Sequence, residues 1–214
     1  MQGRRLPVYL VLDTSGSMAG DPIEAVKMGL KLLLFDAKKD PVALETVFLS
    51  LITFSSTAQQ LVPLTELTQV HEPELIASGT TSLGEALNLL IQCVDREVVK
   101  HTKSIKGDYK PLIYLMTDGV PTDKWKDAAA AVKAKNWDVV ACAAGADADE
   151  NLLKNITDKV VKLVDCQPGT LKAFFKWVTQ TMTTTSKTIQ SAGDSVFQME
   201  IPIPQTGIIV MPPE

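Results

Sequence analysis

The sequence has little of what catalytic and exported proteins commonly rely on. Cysteine occurs three times, at Cys93, Cys142 and Cys166, widely spaced and odd in number. No CxxC pair occurs, which suggests neither a zinc ribbon nor a disulfide framework. Buried free thiols in a reducing cytoplasm fit this usage. The two histidines, His71 and His101, each stand in polar surroundings, as expected of loop or surface residues. No G-x-S-x-G elbow is present to carry a serine nucleophile. No apolar stretch approaches the roughly 20 residues that span a bilayer. "MQGRRLPVYLVLD" puts two arginines before an apolar run, as a signal peptide would. Asp13 breaks that run too early and no small-residue cleavage site follows, so the segment reads as a folded first strand. Basic residues form no long runs and the net charge is −4, which argues against nucleic acid or an anionic membrane as the main partner.

What is present is an alternation. The 214 residues, 45% apolar and 21% charged, suffice for one large domain with its own core. "PVYLVLD" is a continuous apolar run, the mark of a central strand covered on both faces. Asp21 as N-cap and Pro22 at the first helical position open a helix with Ile23, Val26, Leu30, Leu33 and Leu34 on one face. "ETVFLSLITFSS" is a strand, with "AQQLVPL" as its hairpin partner and Pro63 suited to a sheet edge. Ser82 and Glu85 have capping-box spacing before a long amphipathic helix. "PLIYLMTDG", "WDVVACAAG" and "KVVKLVD" are further strands. Between them lie a helix capped by Thr122 or Asp123 and a short helix in "ADENLLKNI". "LKAFFKWVTQTM" is a final helix. The pattern implies an α/β fold: a mostly parallel central sheet with one antiparallel edge strand and helices on both faces.

Two of these strands end in aspartate, at Asp13 and at Asp118. In open α/β sheets ligands bind beyond the carboxyl ends of the strands, near the point where strand order reverses. The first aspartate opens "DTSGS"; between the two lies "SGTT", entering a helix. On one rim these segments would offer Asp13, Ser15, Ser17, Thr81 and Asp118: two carboxylates, three hydroxyls and no soft ligand. Such a set suits a hard divalent cation, above all Mg²⁺, with Mn²⁺ or Ca²⁺ as alternatives. Gly16 and Gly20 would let the first loop bend around the ion.

D-x-S-G-S after the first strand, G-T-T-S-L-G-E-A-L, and then T-D-G together resemble the von Willebrand factor A (VWA) domain family, whose fold is Rossmann-like. The resemblance implies a metal-ion-dependent adhesion site (MIDAS) built from those three loops. Asp13, Ser15 and Ser17 would be the D-x-S-x-S ligands and Asp118 the T-D-G aspartate. The family threonine fits Thr81 better than Thr80. "RRLPVYLVLDTSGSMAGDPIEAV", "ALETVFLSLITFSSTAQQLVPLTEL", "CVDREVVK", "MTDGVPTDKW", "VVACAAG" and "LKAFFKWV" further resemble the bacterial tellurium-resistance, TerY-type A domains. That likeness implies a cytoplasmic stress-response protein with kinase-like or phosphatase-like protein partners.

The expected organisation is a VWA domain over residues 4–186 and a C-terminal tail over 187–214. "TTTSKTIQSAGD" reads as a linker, and the tail is either disordered, laid across its own domain, or a strand offered to a partner. Functionally, the reading is a binding module, not an enzyme: a partner Asp or Glu completes the coordination of the bound ion. The alternatives are a Mg²⁺-dependent phosphatase with Asp13 as nucleophile and a metal-independent scaffold acting through the tail. Against the phosphatase, Ser15 stands where that chemistry wants a second carboxylate, and no general base is evident.

Overall fold

The computed structural model describes residues 4–135, 137–145, 148–192 and 207–212. Its centre is strand β1 (Leu6–Asp13), all eight residues buried. β2 (Val47–Phe54) pairs parallel on one side of it and β4 (Leu112–Thr117) parallel on the other. β5 (Asp138–Ala144) and β6 (Val160–Leu163) continue the parallel run. β3 (Ala58–Glu66) folds back antiparallel on β2, as the hairpin reading expects. The order is β3-β2-β1-β4-β5-β6-β7, so the chain reverses its direction of travel between β1 and β4.

The alternation of side chains along β1 divides the core into two layers. Leu6, Val8, Leu10 and Leu12 face α1 (Asp21–Ala37) and α6 (Pro168–Ala192), with Trp177 fully buried among them. Tyr9 and Val11 face the other layer, with α3 (Leu83–Glu97), α4 (Lys126–Ala134) and α5 (Glu150–Leu153). A six-residue α2 (Pro41–Thr46) follows Asp40, whose carboxylate accepts from the Val42 and Ala43 amides, and packs on α6.

The structure departs from the expected elements in four places. The sheet has two antiparallel edges, not one: β7 (Ile208–Val210), from the tail, pairs with β6 and buries Ile208. α6 runs on to Ala192, through most of the stretch read as a linker. Its threonines are accommodated because Thr179, Thr181, Thr183 and Thr188 each donate to the carbonyl four residues back. α1 begins at Asp21 itself, with Gly20 as the cap. Asp123 caps α3 rather than α4: its two oxygens accept from the Gly84 and Glu85 amides, at 3.0 Å each. Ser82 is freed from that task and donates instead to the Ser56 carbonyl. The remaining tail residues, 193–206 and 213–214, lie outside the described residues.

Candidate metal centre

The reversal between β1 and β4 leaves a crevice at the carboxyl ends of those strands, and the two strand-end aspartates flank it. Asp13 is fully buried. Its Oδ1 accepts from the Ser15 amide at 2.8 Å and its Oδ2 from the Thr117 hydroxyl at 2.5 Å. Both oxygens are therefore fixed, one by its own loop and one by the neighbouring strand. Asp118, one residue beyond β4, is half-buried, and its Oδ1 accepts from the exposed Ser17 hydroxyl at 2.8 Å. Ser17 Oγ in turn lies 3.0 Å from Ser15 Oγ.

Thr81 enters from the third segment. A Cβ placed on Gly119 would lie 3.4 Å from Thr81 Oγ1 and 3.9 Å from Ser17 Oγ, so both hydroxyls face the residue beside Asp118. Thr80 points elsewhere, exposed, with its amide and hydroxyl on Ser56 Oγ. All five residues proposed from the sequence thus surround one crevice.

Backbone bonds join the three loops. The Gly16 amide donates to the Gly79 carbonyl at 3.0 Å, and the Ser78 amide to the Thr14 carbonyl at 2.9 Å. The Thr122 amide donates to the Thr81 carbonyl, while the Thr81 amide donates to the Thr122 hydroxyl. Two glycines are required for this closeness. Gly79 has φ +76°, and a Cβ on it would sit 2.3 Å from Ser56 Oγ. At Gly84 a Cβ would meet the Lys124 carbonyl oxygen at 2.6 Å, so the first turn of α3 lies directly on the loop after β4. Sequence reading missed Thr117, Thr122 and Asp123 as organisers of the site. The signal for Thr117 was its place at the end of β4, level with Asp13 across the parallel pair.

The electrostatics are one-sided. Burial is the main cause that pushes Asp13 above the ordinary carboxylate range, opposed by the bonds from Ser15 and Thr117 and aided by the Asp118 charge. Burial also raises Asp118, against the Ser17 bond. Among the described residues neither has a Lys, Arg or His partner. Cys166, half-buried nearby, has its thiol pushed up to about 11 by burial and by the Asp118 and Asp165 charges. All three cysteines are free.

The donor set fits a hard cation. Oxygen ligands about 2.1 Å from an octahedral ion lie about 3.0 Å from their neighbours, and the Ser15–Ser17 and Ser17–Asp118 separations are 3.0 and 2.8 Å. Among the described residues no group of three or more His, Cys, Asp or Glu side chains gathers as a metal cluster. The crevice instead combines two carboxylates with three neutral hydroxyls.

Known proteins share this fold. The family model described as von Willebrand factor type A domain matches residues 8–199. Among solved structures, the pilus adhesin SpaC from Lactobacillus rhamnosus GG superposes with TM-score 0.66 at 16% identity, over 86% of this chain and 31% of its own. A von Willebrand factor type A protein from Catenulispora acidiphila gives 0.58 at 20%, over 84% and 43%. Proximal thread matrix protein 1 from the mussel byssus, with a zinc-occupied MIDAS motif, gives 0.59 at 17%, over 84% and 48%. The chain therefore spans less than half the length of each, and at these identities the likeness is one of fold. No curated protein matches. With the family model covering nearly all of the sheet and its crevice, the chain belongs to the von Willebrand factor type A domain family.

Proposed function

We propose that this protein is a divalent-metal-dependent protein–protein interaction module, and that Asp13, Ser15, Ser17, Thr81 and Asp118 hold the ion, Mg²⁺ in the first instance. VWA domains can bind a divalent metal at a MIDAS motif and mediate protein–protein interaction; the byssus protein has a zinc-occupied MIDAS motif. The observation that carries the reading is the pair of unbalanced carboxylates, Asp13 buried and Asp118 half-buried. Among the described residues, hydroxyls and an amide are the side-chain and backbone groups that meet these two aspartates, and no base does. A cation supplies the charge that the chain does not.

Each residue has a distinct part. Ser15, Ser17 and Thr81 offer short neutral oxygens directly. Asp118, held by one exposed serine, can turn toward the ion. Asp13, with both oxygens engaged, orients the Ser15 loop and would add its charge to the site without direct bonding. Two carboxylates at most balance the ion, so it remains attractive to an Asp or Glu from a partner. The ion supplies electrophilic attraction for that carboxylate; the chain supplies its placement.

The same contacts favour binding over turnover. Asp13 would be a poor nucleophile for a phosphatase, being buried with both oxygens accepting hydrogen bonds. His71 and His101, both exposed, do not pair with the site. We further propose, on the resemblance of its sequence motifs to TerY-type A domains, a role in a cytoplasmic tellurite-resistance or phosphorylation-linked response with kinase-like or phosphatase-like partners. The three unpaired thiols suit that compartment. No described helix is long and apolar enough to cross a membrane.

The test is capture by immobilised protein from host lysate in Mg²⁺, in chelator, and with Asp118→Ala. Proteins held only by the native chain in Mg²⁺ are expected. Equal retention in all three would contradict the reading.

A further inference from the structure

The two most exposed large apolar side chains among the described residues are Ile76 (68%) and Val120 (65%). They lie on the two loops that bring Thr81 and Asp118 to the crevice. Single exposed apolar residues are common and ordinarily need no explanation. These two are set apart by where they stand and by how firmly the chain holds them out.

Leu75, 1% exposed, and Ala77, packed on the core, pin the segment on either side of Ile76. The next residue, Ser78, is bonded through its amide to Thr14, beside Ser15. Val120 precedes Pro121, which restricts it to extended backbone. The chain on either side of Val120 is fixed by Thr117, whose hydroxyl is on Asp13, and by Thr122, paired with Thr81. Both side chains are thus presented to solvent by anchored neighbours, on the loops that supply Thr81 and Asp118.

We infer that Ile76 and Val120 form an apolar collar at the metal centre, and that the partner segment is an acidic residue flanked by apolar side chains. This rests on the proposed metal-mediated docking and names its ligand more closely. The charge argument selects the occupant. Without an ion, Asp13 and Asp118 repel an incoming carboxylate. With an ion, the carboxylate is drawn in, and its chain neighbours come down beside Ile76 and Val120. Covering part of these two side chains removes apolar surface from water and adds about tenfold in affinity over a polar-flanked acid. A wholly polar acidic segment would leave them wet.

Two capped pentapeptides make the test: one with glutamate between two leucines, one with glutamate between two serines. Each is titrated into the isotope-labelled full chain and followed by NMR, in Mg²⁺ and in chelator, with the native sequence and with Ile76→Ser/Val120→Ser. The expected result is Mg²⁺-dependent binding of both peptides, with the leucine-flanked one about tenfold tighter. The double variant should erase that preference and leave Mg²⁺ affinity unchanged. Equal affinity of the two peptides in Mg²⁺ overturns the collar while metal-mediated docking stands. Binding that is indifferent to chelator, or no binding of either peptide, overturns both.

Discussion

The two rims of the sheet handle buried acid in opposite ways. At the amino ends of the strands, carboxylates are matched by bases from the chain itself. Arg5 clamps Asp108 through both of its oxygens, at 2.9 and 2.5 Å. Asp138, at the start of β5, takes Lys159 at 2.9 Å and Lys110 at 3.4 Å. Glu97 takes Arg96 at 2.8 Å and the Tyr9 hydroxyl at 3.0 Å. At the carboxyl ends, Asp13 and Asp118 have hydroxyls and an amide, no base among the described residues, and ionisation made harder by burial. One rim is finished by folding; the other is left short of positive charge. An unbalanced buried charge is costly, so its retention at this rim supports the proposed ion site.

The largest effect expected from this contrast is on metal binding. Asp118→Ala should lower Mg²⁺ affinity by a factor of about a hundred, at the upper end of what outer ligands of a metal contribute. Calorimetric titration measures it. Asp138→Ala, at the opposite rim, should leave Mg²⁺ affinity unchanged and cost about 1–2 kcal/mol of stability, because it strands Lys159 and Lys110, both partly solvated. If the two variants exchanged phenotypes, the division between the rims would be wrong.

Asp13→Asn sharpens the same point through pH. The folded, metal-free protein holds the Asp13 proton more tightly than the unfolded chain does, so this group opposes folding at neutral pH. That opposition fades as pH falls through the raised Asp13 value. In chelator, Asp13→Asn should therefore melt at or above the temperature of the native chain near neutral pH. The gap should close at acid pH, where Asp13 is protonated. In Mg²⁺ the order should invert, since the variant loses at least about tenfold in metal affinity. A variant less stable than the native chain in chelator would show that Asp13 is a structural anchor before anything else.

Asp123→Ala removes the cap of α3 and the bond between the loops that carry Thr81 and Asp118. A loss of about 1 kcal/mol in denaturant unfolding is expected, with a smaller fall in Mg²⁺ affinity as Thr81 loosens. The smallest effect belongs to Tyr114 of β4, packed on α6, whose buried hydroxyl makes no well-formed hydrogen bond among the described residues. Tyr114→Phe should leave both rims alone and change stability by less than about 0.5 kcal/mol, or raise it.

The contrast also separates what could be read in the sequence from what could not. Asp13 and Asp118 were legible because a continuous apolar run that stops at an acid is informative by itself, and "DTSGS" and "SGTT" add short oxygens at fixed offsets. The balancing pairs of the other rim were not. Arg5 and Asp108 lie far apart in the chain, and nothing local says that they meet. Asp123 stands just before α4 and was read as its cap, while Gly84 lets a different helix approach and take it. The end of α6 was lost because threonine is a poor helix former in isolation. There the helix is sustained by back-bonded hydroxyls and by the buried faces of Met182, Thr185, Ser186 and Ile189. β7 was lost because a three-residue strand among prolines has too little periodicity to register.

The most direct measurement is the anomalous difference density of crystals of this chain grown in Mn²⁺, standing in for Mg²⁺. The account predicts one strong peak in the crevice between β1 and β4, within bonding distance of the Ser15 and Ser17 hydroxyls and beside Asp118, with a coordination position open to solvent or to a neighbouring carboxylate. A crevice without a peak, in crystals where Mn²⁺ binds at other carboxylates, would contradict it.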